Sequence, residues 1–392
     1  MEQQYCPVCY HEDVTVFVEI EGLPVHCNLL WPSQKAALNA PRGNIRLGFC
    51  QTCGMIYNLA FDSSRVTYTQ AYENSLHFSP RFQAYAQELA MRLIEQHHLR
   101  GKKLLELGCG NGEFLATLCT QGRNQGVGFD PSYDNGKKGS RATDNITFIG
   151  DFYSEAYREY TADFICCRHM LEHLQHPRDF LLQVRRALGE RWDTVVFFEV
   201  PNVLYTLRDL GIWDIIYEHC TYFSAPALSR IFQETGFMVL QVYEAFGGQF
   251  LCLEASPADI ASHQDRAVAE SLDQLPNLVL AFGEAYRNKV RTWNGNLRRL
   301  FDRGARSVVW GAGSKGVTFL NTVKGGDQIS YVVDINPRKQ GKYVAGTGQQ
   351  IVPPAFLHEY QADTVLVMNP LYQQEIQEAL TQLHLEAEIL VL

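Results

Sequence analysis

Residues 104–115 read Leu-Leu-Glu-Leu-Gly-Cys-Gly-Asn-Gly-Glu-Phe-Leu, and the order of residue types in this stretch decides the fold. An apolar run of strand length enters a glycine-rich turn, and a helix is predicted from Glu113. Gly108, Gly110 and Gly112 let the backbone bend sharply and pass close to a ligand at the carboxyl end of the strand. The alternation continues on both sides. Gln83–His98 has helical apolar spacing, GVGFD, ITFIGDF, ADFICC and DTVVFFEVP read as strands, and a helix is predicted near Arg178–Leu188. Strands alternating with helices predict the α/β class with a mostly parallel, doubly wound sheet.

Acidic residues stand where such a sheet would hold a nucleoside. Glu106 precedes the turn. Asp130 closes the next strand 22 residues after Gly108, where a carboxylate accepts both ribose hydroxyls. Asp151 and Phe152 follow the third strand, where an acid and a ring can hold adenine by its amino group and its face; a helix N-cap is the other reading of Asp151. The turn lacks the third glycine spacing expected for a pyrophosphate. The arrangement resembles class I methyltransferases. That resemblance implies S-adenosylmethionine as cofactor, with Glu106, Gly108, Gly110, Asn111, Gly112, Asp130, Asp151, Phe152 and His173 on its side of the site.

Two histidine clusters follow. Arg168-His169-Met170-Leu171-Glu172-His173 comes after the fourth strand, at the sheet edge where ligands bind. His173 reads as a cofactor-side or a catalytic residue, and His169 lies one helical turn earlier. Tyr217-Glu218-His219-Cys220-Thr221-Tyr222-Phe223-Ser224 sits in a loop after the fifth strand. An imidazole set beside a carboxylate suits proton abstraction next to a carbonyl at neutral pH, which makes His219 the candidate base and Glu218, His169 and Tyr222 its catalytic neighbours. Glu218 is alternatively a ligand for substrate hydroxyls.

The bulk composition narrows the classes. The chain has 392 residues, which implies two or three domains. A net charge of −9 argues against nucleic acid and against anionic membrane surfaces. No apolar run approaches the ~20 residues of a membrane span, and no secretory signal is read, so a cytoplasmic protein is expected. Four of the 11 cysteines form two knuckles, Cys6-Pro-Val-Cys9 and Cys50-Gln-Thr-Cys53. Two residues between thiolates let each turn aim both sulfurs at one ion, so a closed, structural zinc site is expected. His26 and Cys27 between the knuckles read as core residues. The expected domains are 1–70 (zinc-binding), 71–255 (the doubly wound unit) and 256–392, a second Rossmann-like α/β unit on the substrate side.

That last unit opens with Val308-Val309-Trp310-Gly311-Ala312-Gly313-Ser314-Lys315-Gly316, and Asp334 follows 21 residues after Gly313. Amides of this turn and Lys315 suit phosphate groups of a substrate. A nicotinamide-dependent oxidoreductase is an alternative on this motif alone, and a non-catalytic zinc-finger interaction protein is a third class.

The whole chain resembles the deoxysugar C-methyltransferases of antibiotic biosynthesis. The matches are the four cysteines; Gly22-Leu23-Pro24-Val25-His26-Cys27-Asn28; the glycine turn; Leu171-Glu172-His173; Glu218-His219 with Tyr222-Phe223-Ser224; Gly247-Gly248; and Gly311–Gly316. The resemblance implies a small-molecule acceptor, a nucleotide-linked 4-ketosugar, with His219 as base and His169 polarising the ketone oxygen. Tyr72, His77 and Tyr217 would lie on the substrate side with Lys315, and the protein would be a monomer or homodimer. The chain departs from the family at Phe246-Gly247-Gly248-Gln249-Phe250-Leu251-Cys252, where His-Gly-Gly-Ser and an arginine-containing strand are usual, and at Tyr217, where histidine is frequent. These departures leave oxygen or nitrogen methylation of another metabolite as the alternative.

Overall fold

The computed structural model describes residues 5–66, 72–133, 144–258 and 274–392. Three sheets organise them. The first contains β1 (Val14–Pro24), β2 (Arg42–Cys50) and β3 (Ile56–Asn58), all antiparallel, with the short helix α1 (Gln34–Leu38) between β1 and β2. The second is built from β4 (Lys103–Leu107), β5 (Gln125–Phe129), β6 (Ile146–Ile149), β7 (Phe164–Arg168) and β8 (Val195–Pro201). Its helices are α2 (Pro80–Gln96), α3 (Glu113–Gly122), α4 (Pro177–Leu188) and α5 (Val203–Leu207). A two-residue strand, β9 (Thr221–Tyr222), then leaves this unit and joins the edge of the first sheet beside β3. After α6 (Ala225–Glu234), the hairpin β10 (Phe237–Ala245) and β11 (Phe250–Pro257) completes the second sheet in the order β10-β11-β8-β7-β4-β5-β6. Only β11 runs against its neighbours.

The β4 strand shows why this sequence folds so. Leu104 packs on one face against Phe82, Leu89 and Leu93 of α2 and Phe114 and Leu118 of α3. Leu105 and Leu107 pack on the other face with Leu181 and Val184 of α4 and Leu228 and Ile231 of α6. A strand covered on both faces needs apolar residues at nearly every position, which is the run seen in the sequence.

The 28-residue helix α7 (Leu275–Asp302) leads to the third sheet. Its elements are β12 (Ser307–Trp310), α8 (Ser314–Thr322), β13 (Tyr331–Val333), β14 (Gln350–Val352), α9 (Leu357–Tyr360), β15 (Thr364–Val367), α10 (Gln373–Gln382) and β16 (Glu388–Val391). The five strands are all parallel, in the order β14-β13-β12-β15-β16. Val279, Phe282, Tyr286, Trp293, Leu297 and Leu300 of α7 share one core with Val18 and Ile20 of β1 and Val317 and Leu320 of α8. At Gly283 the carbonyl of Phe17 comes so close that an added Cβ would lie 2.6 Å from it. The expected boundary at residue 70 lies outside the described residues. The first sheet takes its fourth strand from residues 221–222 and shares its core with the C-terminal unit.

Candidate active site

A cavity of about 630 Å³ runs from the β4 turn, past the ends of β7 and β8, to the β12 turn. Glu106, Gly108, Gly110, Asn111, Asp130, Asp151 and Phe152 line its first end. Gly108, Gly110 and Gly112 all have positive φ (70°, 53° and 76°), so the turn needs glycine at each. Asp130 organises it: one carboxylate oxygen accepts from the Gly110 amide at 2.8 Å and the other from the Ser132 amide at 2.8 Å. Glu106 accepts from the Leu115 amide at 3.1 Å, and burial pushes its carboxyl up to about 8 despite the pull of nearby Arg168. A cationic ligand at this end restores its charge. Asp151 and Phe152 stand exposed at the rim, with Asp151 accepting from the Tyr157 hydroxyl at 2.6 Å. Gly112 does not line the cavity. It lies under the turn, where a Cβ would strike the Phe148 ring at 2.3 Å, so its role is packing.

The middle of the cavity carries the reactive groups. Glu199 on β8 is fully buried and anchors them. It accepts two hydrogen bonds from Arg168, at 2.8 and 3.1 Å, and one from the Tyr85 hydroxyl, and it lies 2.8 Å from His169 Nε2. The His169 N–H is not aimed along that line, so this last contact is an ion pair rather than a formed hydrogen bond. His169 has φ 53°, a strained backbone for a non-glycine residue and one held here between two carboxylates, Glu199 and Glu172. Burial opposes its charge, but those two carboxylates outweigh it and raise its pKa to about 9. His169 is an imidazolium facing the cavity. His219 is the opposite case: burial, reinforced by His173, His169 and Lys315, holds it well below the ordinary histidine range, so it is neutral and proton-accepting. His173 donates from Nδ1 to the Glu218 carbonyl at 3.0 Å, and its ring lies 4.9 Å from that of His219.

Other expected site residues sit elsewhere. Glu218 is fully buried outside the cavity, accepting from the Cys27 amide at 2.8 Å and from His26 Nδ1 at 3.4 Å. It ties the loop to the N-terminal segment and touches no space a substrate could fill. Tyr217 is likewise core, its hydroxyl accepting from the Asp62 amide at 2.9 Å and its ring against Phe61. Tyr222 is buried on β9 and donates to the Ile216 carbonyl at 3.2 Å. Lys315 lines the cavity, but its ammonium is paired with Asp214 at 2.5 Å. Tyr72 and His77 line the opposite wall. The departures at 246–250 have a structural outlet. Phe246 stacks on Phe250 with ring centres 5.0 Å apart, and the Gln249 and Asn369 side-chain amides exchange two hydrogen bonds of 2.8 and 2.9 Å. A polar contact is thus replaced by an apolar wall and a latch to the C-terminal unit.

Glu199 was the important omission from the sequence reading. A lone carboxylate inside Val-Val-Phe-Phe-Glu-Val-Pro is a readable signal, because a charge is buried in a central strand only with a partner.

Asp130→Ala should weaken S-adenosylmethionine binding by ~1.5–3 kcal/mol, the scale of hydrogen bonds to a charged group. Wild-type affinity by calorimetry would remove Asp130 from the cofactor site.

Comparison with known proteins agrees with this layout. A methyltransferase-domain family model matches residues 79–242, and the model of the C-methyltransferase C-terminal domain matches residues 247–391. C-methyltransferase NovU of Streptomyces niveus is 28% identical over 70% of this chain and 68% of its own length. Among solved structures, a 1,6-didemethyltoxoflavin-N1-methyltransferase of Burkholderia thailandensis, with S-adenosylhomocysteine bound, superposes with a TM-score of 0.34 at 16% identity, over 46% of this chain and 82% of its own. Magnesium protoporphyrin IX methyltransferase of Synechocystis PCC 6803 gives 0.36 at 15% identity, over 45% and 84%. The β12 glycine turn lies within the matched C-methyltransferase C-terminal domain. No helix among the described residues is long and apolar enough to cross a membrane.

Proposed function

We propose that this chain is an S-adenosylmethionine-dependent C-methyltransferase, as the two matched family models and the similarity to a C-methyltransferase support, and that its acceptor is a nucleotide-linked ketosugar methylated on the carbon beside its carbonyl. The observation that carries this reading is the continuity of one cavity from the β4 turn, through His169 and His219, to Gly311–Gly316. An acceptor with a carbonyl at one end and a phosphate-bearing group at the other fits such a path. At the far end the Gly313–Lys315 backbone and the buried ammonium of Lys339, bonded to the Ala312 carbonyl at 3.0 Å, supply donors.

His219 takes the proton from the carbon next to the carbonyl. The C–H electron pair becomes the enolate double bond, and the carbonyl pair moves to oxygen. His169, held cationic by Glu172 and Glu199, stabilises that oxyanion. Bound at the β4-turn end, S-adenosylmethionine would supply the sulfonium methyl as the electrophile for that carbon, with S-adenosylhomocysteine as the leaving group. The aromatic wall of Phe246 and Phe250 excludes water from this step. Release of S-adenosylhomocysteine with a panel of 4-ketosugar nucleotides, keto acids and phenols tests the reading. Turnover confined to phenols would overturn it.

We also propose one structural zinc ion on Cys6, Cys9, Cys50 and Cys53. Their sulfurs converge: Cys6 to Cys53 is 3.5 Å and Cys9 to Cys50 is 3.6 Å, and all four lie within 4.8 Å of one another. A tetrahedral ion with Zn–S bonds of about 2.3 Å needs sulfurs roughly 3.8 Å apart. Metal analysis should give one zinc per chain, and Cys50→Ser should lower the melting temperature. Stoichiometry near zero in protein prepared without chelator would contradict this. Because β3, next to the second knuckle, pairs with β9, next to His219, zinc loss should also loosen the active-site loop.

A further inference from the structure

Glu172 is a buried carboxylate in the cavity wall, and neither of its oxygens has a hydrogen-bond partner among the described residues. Its backbone is pinned, with its carbonyl accepting from the Cys220 amide at 3.0 Å and from the Thr221 hydroxyl at 3.3 Å. An oxygen of Glu172, a nitrogen of His173 and a nitrogen of His219 lie within 4.8 Å of one another. His173 donates from Nδ1 to the Glu218 carbonyl. The Glu172 carboxylate thus lies beside the His169 imidazolium and two further imidazoles, and a buried carboxylate with no hydrogen-bonded partner among the described residues favours a further positive charge beside it during the working cycle.

We propose that Glu172 is the counter-charge that allows buried His219 to accept a proton, a positioning residue acting through the base. The inference rests on the reading of His219 as the base. A proton arriving on His219 makes it a cationic donor within reach of the Glu172 carboxylate. The other groups facing His219 oppose that charge or, like Tyr222, bring no compensating one. His173 lies at 4.9 Å and Tyr222 at 6.2 Å between ring centres, and the cations of His169 and Lys315 both disfavour a further positive charge. Asp214, the only carboxylate on the Lys315 side that the described contacts show, is engaged with that lysine. On the other flank His169 Nδ1 stands 3.6 Å from Glu172, so the carboxylate sits between the oxyanion-stabilising imidazolium and the base.

The test follows the His219 imidazole by NMR titration in full-length protein saturated with S-adenosylhomocysteine, its signal identified by its absence in His219→Ala. An opposite charge at this range shifts a pKa by about one to three units. Glu172→Gln, which keeps the shape, should therefore lower the His219 midpoint by at least about one unit, and Glu172→Asp should restore most of it. With a productive acceptor, the acid limb of kcat/KM should move to lower pH in Glu172→Gln. There kcat should fall ~10- to 100-fold while KM and S-adenosylhomocysteine affinity hold, since a weaker base slows the proton step alone. An unchanged His219 midpoint in Glu172→Gln overturns the inference. So does a second equivalent of zinc bound per chain and lost in Glu172→Gln, because the cluster would then be a metal site. Full turnover by His219→Ala overturns the base reading and this inference together, whereas a dead His219→Ala beside a Glu172→Gln that titrates like wild type overturns this inference alone.

Discussion

His219→Ala should bind S-adenosylhomocysteine with wild-type affinity and methylate its acceptor ~100- to 10,000-fold more slowly, the range for loss of a general base. Affinity should hold because His219 lines the middle of the cavity, away from Gly108, Gly110 and Asp130 of the β4 turn, the proposed cofactor end. The fold should hold because the described contacts of the His219 side chain are ring contacts, with His173 and Tyr222, rather than hydrogen bonds. Its role makes a second demand. In deuterium oxide, with acceptor and S-adenosylhomocysteine, wild-type enzyme should wash deuterium into the carbon beside the carbonyl, and His219→Ala should not. A His219→Ala variant with near-normal rate would leave the neutral imidazole without a function.

The largest stability effect should come from Glu199→Ala, which should cost about 3–5 kcal/mol, the scale for leaving a buried charge uncompensated. Arg168 and His169 both rely on this carboxylate, and Arg168 is further confined over the Phe114 ring at 4.1 Å. Burial penalises Glu199, yet Arg168 and His169 overcome that and hold its pKa down to about 2, while His169 is raised to about 9. A depressed carboxylate contributes stability above its unfolded pKa and loses it as pH falls toward 2. A raised histidine contributes below its unfolded pKa and loses it as pH climbs through 9. The pair therefore stabilises most between roughly pH 4.5 and 6.5, with decline on both sides. Urea unfolding of wild type and Glu199→Ala across pH checks both statements. A difference under ~1 kcal/mol, or one that does not shrink outside that window, would count against the network.

Those two residues mark where sequence reading works and where it stops. The β4 strand, its glycine turn, Asp130 and the two histidine clusters were legible because strand period, turn chemistry and chain order are local properties. Partner choice is not local. Glu218 reads as an active-site acid beside His219, yet its carboxylate is consumed by His26 and Cys27, some 190 positions away, separations of 192 and 191 residues. Lys315 reads as a phosphate ligand, but Asp214 claims it across 101 residues. Gln249 looks like a lost substrate contact and is half of an amide pair with Asn369 spanning 120 residues. Each error assigns to a ligand a polar group that folding had already satisfied, which is the usual fate of a buried polar side chain. Tyr217 and Tyr222 fail for a simpler reason. Both rings are buried in the core, as are Glu218, Cys220 and Thr221 on either side of His219.

The most direct measurement is the position of the new methyl group. With S-adenosylmethionine carrying an isotopically labelled methyl and a nucleotide-linked ketosugar as acceptor, NMR of the product should show the label bonded to the carbon beside the carbonyl. A label on oxygen or nitrogen would contradict the enolate route. It would leave His219 as a base for a hydroxyl or amine and make the apolar wall of Phe246 and Phe250 the mark of a different acceptor.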